Sequence, residues 1–260
     1  MKSSIKKWAG LGLATAFVGT TLVSCSSGGE AGEENAELSQ PGEMGEGEGG
    51  EGEGGEGEGG EAGHDIGTLP LPKRLAFMSG HVEAGLALYR AGEAEMAAPH
   101  LLHPVSETHE AERQGLDELG FEAALFETVS KALEEDTPAA EIEDQLKKAE
   151  ANIAAVAEKA GGDPAEIISY LMDTVVEEYT VAITDGQVSD PGEYQDAFGF
   201  AVVALDRADG LEGDAASSVK EEINSLIGLW PEAPIPPEDP TPVGQVSAQA
   251  SKVKLALPGG

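Results

Sequence analysis

The residues best suited to chemistry fall in one short stretch, "HLLHPVSETHE", residues 100–110, which holds three of the five histidines of a 260-residue chain. Neutral imidazole nitrogens are the commonest ligands of zinc, copper and iron, so histidines this dense raise metal binding first. His100, His103 and His109 are candidate ligands, and His81, upstream in "FMSGHVEAGL", is a fourth. Glu107 and Glu110 add carboxylates in the same turn as His109. The expectation is a site for one transition-metal ion, zinc, copper or iron.

A helical hairpin would bring them together. His81 stands eleven residues before Gly92 and His103 eleven after it. At ~1.5 Å rise per residue both lie about 16 Å from the turn, at similar height, with His100 nearly one turn closer. His81 shares a helical face with Phe77, Ala84 and Leu88, whereas Glu83 falls with Ser79 and Ala87 on the expected solvent side. The competing possibility is a set of core histidines whose nitrogens bond backbone carbonyls, with His103 satisfying a helix end before Pro104.

A second group opens "EYQDAFGFAVVALDRADG", residues 193–210. Glu193 and Asp196 read as first-turn acids favoured by the helix dipole, with Phe198, Val202 and Leu205 as core behind them. Alternatively Glu193, Tyr194 and Asp196 face the histidines across the bundle. Catalytic motifs are missing: no HExxH, no GxSxG, no phosphate-cradling glycine loop and no haem attachment pair. The chain is therefore expected not to be an enzyme.

The elements that would hold these residues are helical. Thr137-Pro138, Asp163-Pro164 and Asp190-Pro191 each set an N-cap residue before a proline at the first helical position. Asp190 with Glu193 also fits a reciprocal capping box. Gly92, Gly120, Gly161-Gly162, Gly186 and Gly210 mark helix ends. Apolar residues recur at spacings of three and four: Leu75, Met78, Val82, Leu86 and Tyr89; Ile168, Leu171, Val175, Tyr179 and Ala182; and Ile142, Leu146, Ile153 and Val156. The pattern predicts an all-α, bundle-like domain of about six or seven helices over residues 71–230. "PEAPIPPEDPTP" then predicts an extended Pro-rich tail over 231–260.

The beginning of the chain points to export. Lys2, Lys6 and Lys7 precede an apolar run from Trp8 to Val23, too short and interrupted to span a membrane. Leu22-Val23-Ser24-Cys25 resembles the lipobox of bacterial lipoproteins. That resemblance implies a signal peptide over 1–24, diacylglyceryl attachment at Cys25, and a chain tethered to the membrane on the periplasmic side of the envelope. Ser26 after the cysteine favours the outer membrane over the inner. Cys25 is the only cysteine, so the fold is expected to stand without disulfides.

From Cys25 to residue 70 the chain is largely Gly, Glu and Ser, with three copies of EGEGG over 46–60, a composition that predicts a disordered acidic spacer. The formal net charge of −34 argues against nucleic acid as a partner.

"EEYTVAITDGQVSDPGEYQDAFGF", residues 177–200, and "FMSGHVEAGLALYRAGEAEMAAPHLLHPVSE", residues 77–107, resemble helical extracytoplasmic domains attached to bacterial iron permeases of the high-affinity uptake kind. The resemblance implies handling of iron or another transition metal, with a membrane transporter or envelope protein as partner. The transport motif of the permeases is absent, as is the GxHxxE of imelysin-like lipoproteins, which Gly80-His81-Val82-Glu83 echoes only in part. The expected function is a lipid-anchored metal-binding accessory to metal uptake or homeostasis; a metal-free envelope adaptor is the alternative.

Overall fold

The fold was derived from a computed structural model that describes residues 66–106 and 113–259. The expected signal peptide, Cys25, the expected acidic spacer as far as residue 65, Glu107, His109 and Glu110 lie outside the described residues; the last five residues assigned to that spacer belong to the fold instead, with a 3₁₀ turn over Ile66–Thr68 and Leu69 packed against the core.

Nine α-helices occur among the described residues: α1 Leu71–Ala91, α2 Ala94–Leu102, α3 Leu116–Leu119, α4 Ala123–Glu134, α5 Glu143–Ala160, α6 Pro164–Ala182, α7 Pro191–Arg207, α8 Asp214–Ile227 and α9 Val243–Ala256. The all-α expectation holds. Among the described residues the strand content is one ribbon, Ile183–Thr184 paired antiparallel with Gln187–Val188, which turns through Asp185 and Gly186.

The helices start where local chemistry dictates. Asp163 accepts from the amide of Ala165, and Asp190 from those of Gly192 and Glu193, each ahead of a proline at the first helical position. Thr137-Pro138 starts only a 3₁₀ turn, Ala139–Glu141, before α5. Nor does Asp190 complete a capping box. Its own amide donates to Ala182 O, and the Glu193 side chain is drawn inward instead. Gly92 closes α1 in the left-handed conformation at φ 91°, where a side chain would be strained, and turns the chain into α2.

Two apolar clusters form among the described residues. One lies among α1–α5: the predicted stripe Leu75, Met78, Val82, Leu86 and Tyr89 meets Leu101, Leu116, Phe126, Leu146, Ile153 and Val156. The other lies among α6–α9: Ile168, Leu171, Val175 and Tyr179 meet Tyr194, Phe200, Val219, Ile223, Trp230, Val246 and Val253. Helix α1 serves both, because Ala76 and Phe77 on its opposite side enter the second cluster. Burial on two sides explains why Ser79 is buried and Glu83 half-buried, against the expected solvent face. Burial, then Glu150 and Asp206, push the Glu83 carboxyl up to about 7, against the opposing pull of Arg90.

The expected tail is extended only in part. Residues 231–242 have no regular helix, but α9 follows and buries Val246, Gln249, Ala250 and Val253. The intervening segment is pinned at its end: Tyr179 Oη donates to Thr241 O at 2.7 Å, and Thr241 Oγ1 to Leu229 O at 2.6 Å. A domain ending at Trp230 would lack its last helix.

Candidate metal centre

Helices α1 and α7 cross at two glycines, and this crossing builds the site. A Cβ on Gly199 would overlap the carbonyl oxygen of Gly80, and a Cβ on Gly80 would run into the Phe200 ring. Neither helix could approach the other so closely with a larger residue there. His81 follows Gly80, and Asp196 lies one turn before Phe200, so the crossing sets imidazole against carboxylate.

His81 Nδ1 lies 2.8 Å from Asp196 Oδ1, and His100 Nδ1, arriving from α2, lies 2.9 Å from the same oxygen. Potential ligand atoms of His81, His100 and Asp196 all lie within 4.8 Å of one another, and all three residues are buried. His103, 1% exposed, stacks on His81 with ring centroids 4.0 Å apart and planes 16° apart. Phe77 and Phe200 set their edges against His81. The hairpin through Gly92 therefore brings His81, His100 and His103 together, but the three convergent donors are two histidines and Asp196; His103 meets its neighbour face to face.

The orientation of His100 is fixed from behind. Gln195 Nε2 donates to Met96 Sδ at 3.2 Å, a sulfur that can only accept, so Gln195 presents Oε1 to His100 Nε2 at 2.8 Å. His100 Nε2 must carry a hydrogen, and Nδ1 is the atom turned toward Asp196. Burial would raise the Asp196 carboxyl; the His100 and His81 imidazoles overcome it and hold the carboxyl well below its ordinary 3.8.

Two more acids adjoin the cluster. Glu178 of α6 and Glu193 of α7 are buried, and their carboxyl groups share a hydrogen bond. Burial foremost, then the Glu178 carboxylate, push Glu193 up to about 10. Burial also raises Glu178, with Asp196 adding to the effect and Glu193 and His81 opposing it.

Of the alternative set Glu193, Tyr194 and Asp196, the structure turns Asp196 to the histidines and Glu193 to Glu178, whereas Tyr194 packs beside Tyr179 and Trp230. The expected core residues Phe198, Val202 and Leu205 are only half-buried. Glu193, Asp196, Phe200 and Val203, spaced three, four and three, lie on the buried face. The acids follow that face inward instead of projecting from the first turn. Glu178 and Gln195 had no sequence signal beyond helical spacing from buried neighbours.

Residues 162–258 match the family model of the iron permease-associated 4-helix bundle domain. The matched span corresponds to α6–α9 and contains Glu178, Glu193, Gln195 and Asp196. No curated protein matches the chain. No solved structure does either. Among the described residues no helix is long and apolar enough to cross a membrane.

Proposed function

We propose that the protein binds a transition-metal ion, iron foremost, through His81, His100 and Asp196, and serves iron uptake from the cell envelope as the lipid-anchored partner of a membrane transporter. The observation that carries this is the convergence of two imidazoles and one carboxylate, buried and within 4.8 Å of one another, from three helices. Two histidines and a carboxylate form a donor set suited to ferrous iron, and also to zinc and manganese. Metal–ligand bonds of about 2 Å require donors to stand up to about 4 Å apart, so small side-chain movements suffice. His103, stacked on His81, limits that ring's rotation. The match of α6–α9 to an iron permease-associated domain supports iron as cargo and a transporter as partner. The lipobox resemblance at Leu22–Cys25 supports the anchor.

One observation favours the metal-free adaptor: His100 is held on both sides, by Asp196 and Gln195, as a satisfied core histidine would be. Calorimetric titration of the full chain separates the two. Ferrous iron, zinc or cupric ion is added under excess magnesium, which occupies the acidic spacer. Saturable binding that His81→Ala and His100→Ala abolish supports the metal site; no saturable binding leaves the adaptor. Labelled-lipid incorporation that Cys25→Ala abolishes tests the anchor.

A further inference from the structure

The two apolar clusters do not close on each other everywhere. At their seam, among α1, α5, α6 and α7, they leave a cavity of about 380 Å³, within the range of small-molecule sites, roughly 300–1,000 Å³. Its floor is apolar and drawn from both clusters, Ile153 and Ala157 from one and Ile167 and Val203 from the other. Part of its wall is glycine, Gly161 and Gly162 after α5 and Gly210 after α7, from which no side chain projects to fill the space. Helix α1 meets it with Ser79 and Glu83, on the face opposite His81, because two residues turn a helix by about 200°. None of His81, His100 and Asp196 lines it.

Four charged groups do line it: the carboxyl groups of Glu83, Glu158 and Asp206 and the guanidinium of Arg207. Glu83 and Asp206 lie near enough to act on each other electrostatically. Glu83 and Arg207 are half-buried, and among the described residues neither side chain makes a hydrogen bond or an ion pair. Arg90 shows the usual outcome for a guanidinium in this fold, bridging Glu143 and Glu150. Burial holds the Arg207 guanidinium below its ordinary 12.5, and Asp206 only partly offsets this. A charged donor partly withdrawn from water without a hydrogen-bonded acceptor is costly, and it points to an acceptor that a ligand supplies.

We propose that this cavity binds a small zwitterion of the apolar α-amino acid class, of about leucine size, with its carboxylate on Arg207, its ammonium on Glu83 and Asp206, and its side chain on the floor of Ile153, Ala157, Ile167 and Val203. The set of charges argues against simpler ligands. An anion alone would meet three carboxyl groups against one guanidinium, and an amine alone would leave Arg207 without its acceptor. An uncharged apolar molecule would withdraw all four groups further from water and pair none. The planar guanidinium matches a carboxylate through two parallel hydrogen bonds, which fixes the orientation of the ligand. This site is independent of the proposed metal centre.

The test is calorimetric titration of the full, metal-free chain under excess magnesium with L-leucine, beside leucine amide, which lacks the carboxylate, and 4-methylpentanoate, which lacks the ammonium. Saturable binding of one L-leucine per chain is expected, with each analogue weaker by about tenfold or more, the worth of a hydrogen bond to a charged group. Arg207→Gln should lower L-leucine to the affinity of its amide. Ala154→Leu, at an exposed position on the α5 wall of the cavity, should fill the space and abolish binding while the melting curve stays that of the wild type. The comparison of the three probes on the wild type tests the site even if Arg207→Gln fails to fold. Leucine amide binding as tightly as L-leucine overturns the carboxylate contact and the ligand class with it. Binding that survives Ala154→Leu lies elsewhere and overturns the site, as does the absence of saturable L-leucine binding; because no metal is present, either result leaves the metal centre standing.

Discussion

Gly199 of α7 packs directly on the backbone of Gly80 in α1, with no room for a methyl group between them. Because the obstructing atom is a carbonyl oxygen, Gly199→Ala cannot be relieved by a rotamer change. Overpacking of this kind costs about 1–3 kcal/mol, and more where backbone must move. Gly80→Ala meets the Phe200 ring instead. Denaturant unfolding should show Gly199→Ala losing stability in or above that range. Metal affinity should fall with it, because separating the helices pulls His81 from Asp196.

Asp196 joins three helices through one oxygen, since His81 and His100 both lie against it. Removing one partner of a buried ion pair costs about 3–5 kcal/mol because the other charge is left uncompensated. Asp196→Ala should lower stability at neutral pH by about this amount. The folded carboxyl lies below its ordinary 3.8, so the unfolded chain takes up the proton first as pH falls. The stabilisation is therefore complete above the ordinary value and is lost toward lower pH. Melting curves of wild type and Asp196→Ala should differ most near neutrality and converge in strong acid; a gap that widens in acid would contradict the pairing.

Gln195 reaches the site only through His100. Gln195→Leu removes the acceptor at His100 Nε2 and frees the ring from its orientation. Loss of such an outer partner typically costs 10–100-fold in metal affinity, roughly. Calorimetry should record that loss with little change in the number of ions bound. An unchanged affinity would show that the ring is held by its packing alone.

These residues differ in how plainly the sequence displayed them. The stripes of α1 and α6 are built of large apolar side chains at helical spacing, and Asp163 and Asp190 cap where an Asp-Pro pair says they should. Such signals are local. Asp196 is not legible in that way, because an acid in a helix's first turns is ordinarily solvated and only the crossing of α1 over α7 buries it. Helix α9 is obscured for another reason: its buried positions Val246, Ala250 and Val253 are small, and the prolines just before it dominate the pattern. The grouping of His81 with His100 follows from the hairpin at Gly92, whereas the third donor comes from ninety-six residues beyond His100. No short-range periodicity carries that distance.

Helix α9 should be indispensable. Truncation after Pro242 removes Val246, Ala250, Val253 and Leu257 from the α6–α9 cluster. Each fully buried Val or Leu contributes about 1.5–3 kcal/mol, so the loss approaches the whole stability of a typical domain, about 5–15 kcal/mol. The truncated chain should lose its cooperative thermal transition by circular dichroism. A chain ending at 230 should fare no better, and cooperative unfolding at wild-type temperature in either would refute the role assigned to α9.

The protonated Glu178–Glu193 pair should leave a mark on stability that runs opposite to that of Asp196. Glu193 titrates at about 10 in the folded chain against an ordinary 4.5, with Glu178 facing it from α6 and Asp196 and Asp190 near it on α7 and its cap. Between those values the folded chain keeps a proton that the unfolded chain has released, so this contribution is full below the lower value and declines as pH rises toward the higher. One proton corresponds to at most about 1.4 kcal/mol per pH unit, and sharing with Glu178 reduces it. Glu193→Gln carries its hydrogen permanently and removes this term. Metal-free wild type should therefore lose melting temperature from about pH 6 to about pH 9 more steeply than Glu193→Gln, with the variant the more stable at the alkaline end. If the two profiles run parallel, no proton is held between these carboxyl groups, and Glu193 pairs with Glu178 by some other arrangement.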